Sequence, residues 1–115
     1  MKIEQFNEFV GKRKQELYDY LIKEDYNLAG EKEIEECLKN PPDFMKDGKW
    51  YYFFKKIFRN QDGDADVPCV YFDGEKLSRG ADWLESGWYS YGRVVLETSE
   101  YCKCKRCEYC GKIIK

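Results

Sequence analysis

The run Lys49–Arg59, KWYYFFKKIFR, constrains this chain more than any other stretch. Five large apolar side chains follow one another from Trp50 to Phe54, so a strand here presents apolar groups to both faces of its sheet. Aromatic residues favour extended backbone, and an unbroken apolar run marks a strand inside a sheet rather than at its surface. Beyond Phe54 the run is polar on one face. The segment therefore reads as a central strand that emerges from the sheet at its basic end.

The elements around it follow from periodicity. Phe6, Val10, Leu17, Leu21 and Leu28 fall at spacings of four and seven, which predicts an amphipathic helix from about Ile3 to about Tyr26, with Gly30 as its stop. A shorter helix, EKEIEECLK, places Ile34, Cys37 and Leu38 on one side, carries acids near its positive end, and stops at Asn40-Pro41-Pro42. After the central strand, Asn60–Gly63 reads as a turn, Val67–Phe72 as a second strand and Asp73-Gly74 as its close. Leu77–Gly92, rich in Gly, Ser, Trp and Tyr, reads as a loop with a helical turn at Ala81–Leu84, and Arg93–Thr98 as a third strand. The expected fold is α+β: N-terminal helices on a small, mainly antiparallel sheet of about three strands, ending in a four-cysteine zinc loop. One domain is expected over 1–115, with a helical part at 1–40, a sheet part at 49–100 and a metal-binding tail at 101–115.

The chain contains no His. That removes the commonest general base and the usual partner of a Ser or Cys nucleophile, so a non-catalytic role is expected. The opening MKIEQFNEFV lacks the apolar core of an export signal, and no apolar run approaches a membrane span. A cytoplasmic, reducing compartment without membrane insertion is expected, and there clustered cysteines indicate metal before disulfides.

Four thiols crowd the end of the chain as Cys102-x-Cys104-x-x-Cys107-x-x-Cys110. A Cys-x-x-Cys turn brings two sulfurs to one side, and the strand-like spacing of Cys102 and Cys104 points both the same way. This is the donor set of a tetrahedral Zn²⁺ site. Lys103, Lys105, Arg106 and Lys112 offset the charge of four thiolates. Disulfides and an iron–sulfur cluster are the rival readings. The cluster lacks its fourth cysteine, because Ile114 stands at that position. Cys69 or Cys37 replacing Cys102 is a further alternative, although both fit a helix or strand as small buried hydrophobes.

The ending Cys107-Glu108-Tyr109-Cys110-Gly111-Lys112-Ile113-Ile114 resembles the C-terminal zinc knuckle of many small bacterial and phage proteins. The likeness covers the last fifteen residues. Its two knuckles lie closer together than those of a zinc ribbon. In size, acidity and cysteine tail the chain is similar in general character to the zinc-containing, phage-encoded anti-CRISPR proteins. That resemblance implies a protein partner, the RNA-guided nuclease of a type II system, met in the host cytoplasm, with DNA loading or conformational change obstructed.

Charge alternates along the chain. Residues 61–100 carry a net −6, whereas 49–60 and 101–115 are each +4. Asp62, Asp64 and Asp66 have the alternate spacing of a calcium loop, but Val67 stands where it needs Gly and Asp73 where it needs Glu. They read instead as an acidic surface turn. Asp82–Tyr91 crowds Trp83, Trp88, Tyr89 and Tyr91 into a Gly/Ser segment, the composition of an adaptable binding surface or of rings folded inward as core. Acidic surfaces are steered to basic ones, so a basic, nucleic-acid-handling protein is the expected partner, bound at these rings and acids and thereby inhibited. The alternative is direct nucleic-acid binding through Lys103, Lys105, Arg106, Lys112 and Lys115.

Overall fold

Two backbone positions prevent the N-terminal apolar stripe from forming one helix. Phe6 (φ 57°) and Gly11 (φ 91°) both adopt left-handed conformations that a right-handed helix cannot contain. The computed structural model, which describes residues 2–59 and 61–97, accordingly begins with a strand, β1 (Lys2–Glu4). A 3-10 turn follows at Asn7–Phe9, and helix α1 (Lys14–Lys23) comes only then. The helix expected from Ile3 to Tyr26 is corrected at both ends. It stops at Asp25, not Gly30: Asp25 takes φ 58°, its N–H bonds to Ile22 O, and the N–H of Tyr26 bonds to Leu21 O. That pair of bonds is a Schellman closure, with Asp in the left-handed position usually given to Gly.

Helix α2 (Glu31–Lys39) matches its expected span. The Glu33 carboxylate accepts from the Gly30 N–H at 2.8 Å, which satisfies a donor that the helix start leaves open.

The strands are β2 (Trp50–Tyr52), β3 (Phe58–Arg59), β4 (Ala65–Phe72), β5 (Leu77–Trp83) and β6 (Gly92–Leu96). With β1 they form one six-stranded mixed sheet, where about three mainly antiparallel strands were expected. β6 lies between β1 and β2, and β2 lies between β6 and β4. β2 and β6 run parallel. β4 pairs antiparallel with β2 and β3 along one edge and with β5 along the other.

The single strand expected at Lys49–Arg59 is broken in two, and Pro68 supplies the reason. Its carbonyl accepts from the Phe53 N–H, so its backbone faces β2. The N–H that proline lacks is missing from that same edge. The neighbouring chain leaves the ladder there and rejoins at β3.

Both faces of the sheet are covered. Leu17 and Leu21 of α1 pack with Tyr52, Phe54, Val67, Cys69, Trp88 and Val94 on one face. Ile34 and Cys37 of α2 pack with Tyr51, Phe53, Val70 and Val95 on the other. Burial on both sides is what the run Tyr51–Phe54 requires, and all four residues are buried.

The expected loop over Leu77–Gly92 contains a full edge strand, β5, and no helical turn at Ala81–Leu84. Its hairpin with β4 is set by Asp73, whose carboxylate accepts from the Glu75 and Lys76 N–H groups (2.9 and 3.0 Å) and from the Ser78 hydroxyl (2.8 Å). The two backbone donors and the Ser78 hydroxyl hold the Asp73 carboxyl down to about 2. A depressed carboxyl stabilises the fold above its unfolded value and ceases to do so as pH falls through the folded one. We expect the hairpin's contribution to be complete above about pH 4 and lost towards pH 2. Denaturation midpoints across pH 2–5 check this: Asp73→Asn should flatten the acid limb.

Candidate functional site

The aromatic segment Asp82–Tyr91 is distributed over three environments. Trp88 is core, at 1% exposure: its ring centroid lies 5.2 Å from that of Tyr52, and its indole N–H donates to Gln5 O at 3.2 Å. It offers no partner surface. Tyr89 and Tyr91 are exposed and stacked, 5.2 Å apart and 13° from parallel. Trp83, at the end of β5, is 55% exposed.

Strand alternation separates these rings. Leu77 packs on the α2 side, and Arg79 of the same strand forms a bidentate pair with Glu31 of α2. Trp83 shares their parity and so faces the α2 side of the sheet. Asp82 faces the α1 side, where its carboxylate meets Lys14.

Lys14 is the functional-type residue that sequence reasoning missed. Its side chain is completely buried, and its ammonium donates to Ser86 Oγ (2.9 Å) and Gly87 O (2.8 Å) and pairs with Asp82 Oδ2 (3.0 Å). Tyr52 OH donates to the same Asp82 oxygen at 3.0 Å. Burial, and then the Asp82 charge, push the Tyr52 phenol far up. The Lys14 nitrogen lies 5.4 Å from the centroid of the Tyr89 ring and 5.5 Å from that of Tyr52. A signal for it existed, because position 14 precedes Leu17 by three and Leu21 by seven and so falls on the buried stripe of α1. All three ammonium protons have partners within the fold. The arrangement is that of a fixed strut, and it anchors the segment carrying Tyr89 and Tyr91.

On the α2 side the ladder unites two candidates from separate sequence motifs. Asp66 of β4 stands opposite Trp83 of β5 and, on its other edge, opposite Phe58 of β3. Directly opposed residues share a face, so the order across three strands is aromatic, carboxylate, aromatic. Phe58 is 40% exposed. Asp66 Oδ1 has no solvent contact and no hydrogen-bond partner among the described residues. Next to this row lies a groove of about 300 Å³, lined by Glu31, Lys56, Phe58, Pro68 and Arg79. Asp62 and Asp64 are exposed in the turn before β4. Phe58 joins this row through strand register, which the sequence does not state.

The metal ligands expected at Cys102, Cys104, Cys107 and Cys110 lie outside the described residues, as do Lys103, Lys105, Arg106, Lys112 and Lys115. Among the described residues no cluster of three or more His, Cys, Asp or Glu has metal-binding geometry. Cys37 and Cys69 lie in the cores of opposite sheet faces. Burial pushes the Cys37 thiol up to about 11, and burial together with Asp82 pushes Cys69 up to about 12. No helix among the described residues is long and apolar enough to cross a membrane.

Comparison with protein-family models, curated proteins and solved structures finds no match for this chain.

Proposed function

We propose that this chain is a non-catalytic protein-binding domain that inhibits a basic, nucleic-acid-handling protein by covering part of its surface. One observation carries the reading. Trp83 and Phe58 stand exposed on either side of Asp66, and exposed aromatic rings are the residue type that interface anchors favour. The saturated Lys14 network supports it, since its polar groups are spent on holding the fold. An RNA-guided DNA nuclease fits the partner chemistry, because its nucleic-acid channel is strongly basic. The tail thiols Cys102, Cys104, Cys107 and Cys110 bind one Zn²⁺ that serves architecture.

The test is capture from host lysate by the wild-type chain and by Trp83→Ala, with mass spectrometry of what is retained. A salt-sensitive basic partner whose nuclease activity falls on binding is expected, with at least about tenfold less capture by the variant. Elemental analysis should give one zinc per chain. Retention of the chain itself on a nucleic-acid column, weakening steeply with salt, would sink the reading in favour of direct nucleic-acid binding.

A further inference from the structure

Resting on the reading of this surface as protein-binding, we infer that Phe58, Asp66 and Trp83 form a slot for a single arginine side chain of a basic partner segment. Two inter-strand spacings separate Phe58 from Trp83, about 10 Å at their Cβ atoms. A planar group stacked between two rings needs about 7 Å. A guanidinium fits that gap, attracts both ring faces and is weakly hydrated for a cation. At the floor of the gap is the Asp66 carboxylate, with one oxygen that lacks a donor among the described residues. Leaving that oxygen dry and unpaired is unfavourable in the free protein, and an incoming N–H relieves it. An exposed side chain such as Trp83 changes rotamer on the picosecond-to-nanosecond scale, so its ring can adjust to admit a planar group beside Asp66.

Two of the chain's own nearby cations are engaged elsewhere, and a third, Lys56, lines the groove beside Phe58 together with Glu31. Arg59 lies on the opposite sheet face from Phe58 and donates to Gly63 O at 2.9 Å, and Arg79 is held by Glu31. Asp62 and Asp64, exposed in the turn that leads into Asp66, add negative charge to this part of the chain, which favours a cationic visitor over an apolar one.

The experiment uses the full chain, ¹⁵N-labelled, with the peptide Gly-Arg-Gly-Arg-Gly-Arg-Gly and its lysine and citrulline counterparts. The arginine peptide should shift the Trp83 indole N–H signal and leave Trp88 unmoved. The lysine peptide should bind severalfold more weakly, and the uncharged citrulline peptide should not bind. Asp66→Asn should weaken arginine binding at least about tenfold while Tm stays the same, because Oδ1 of this carboxylate has no hydrogen-bond partner to lose among the described residues of the free protein. A merely structural Asp66 would lower both. Asp66→Asn binding at wild-type strength, or shifts confined to Tyr89 and Tyr91, overturns the slot. Equal binding of the citrulline peptide at Trp83 also overturns it but leaves the protein-binding reading intact. Arginine binding at Trp83 with no basic protein captured from lysate would instead defeat that reading and leave the slot standing.

Discussion

Lys14→Met is expected to destabilise the folded chain by about 3 kcal/mol, even though methionine nearly matches the volume removed. The substitution keeps the packing and deletes the charge. Asp82 then loses its only ion-pair partner among the described residues, and Ser86 Oγ and Gly87 O lose a donor. Breaking a buried pair from one side costs about 3–5 kcal/mol. The lower figure applies because the Asp82 side chain is 31% exposed and solvent meets part of its charge. Asp82→Asn strands the ammonium in the same way. The double variant removes both charges and should be more stable than the sum of the two losses implies, with a coupling of at least about 1 kcal/mol. Urea unfolding of the four proteins measures this. A Lys14→Met variant as stable as wild type would show that the ammonium reaches water.

The same substitution separates the two aromatic surfaces. Lys14 lies under Tyr89, so its loss should loosen the Tyr89–Tyr91 stack and broaden those resonances. Trp83 and Phe58 lie across the sheet and should remain as they were.

Lys14 also marks where sequence reasoning stops. A stripe read from Val10, Leu17 and Leu21 selects apolar letters and passes over a lysine in the same register, because lysine is ordinarily solvated. Its burial depends on Asp82, Ser86 and Gly87, some seventy positions away. Strand β5 was hard to read for a related reason: the alternation of Leu77, Ala81 and Trp83 in LSRGADW is broken by Arg79 and diluted by Gly80, and the Asp73 turn and β4 place this edge strand. The left-handed Phe6 carries no sequence mark, since aromatic residues rarely adopt that conformation. Where local chemistry decides the outcome, reading was reliable. Trp50–Phe54 needed two covered faces, Glu31–Lys39 had its acids and its prolines, and Asp73-Gly74 made its turn. Of the surface candidates, the acids and rings were visible as letters, but Asp66 joins Trp83 only through strand register.

Trp88→Ala should cost about 3–5 kcal/mol, a large share of the roughly 5–15 kcal/mol typical of a domain this size. The ring fills the α1-side core against Tyr52 and Phe54, and its indole N–H holds the Gln5 carbonyl at the start of the chain. It also lies directly over Gly92, where an added Cβ would come within 2.9 Å of the ring. Gly92 does not need the left-handed conformation, so alanine there is resisted by the ring alone. Gly92→Ala in the wild type should therefore cost about 1–3 kcal/mol through overpacking. In the Trp88→Ala background the same methyl enters the vacated space and should cost nothing, or recover part of the loss. Chemical denaturation of the four proteins closes the cycle. Equal penalties for Gly92→Ala in both backgrounds would show that something other than the Trp88 ring excludes a side chain at that position.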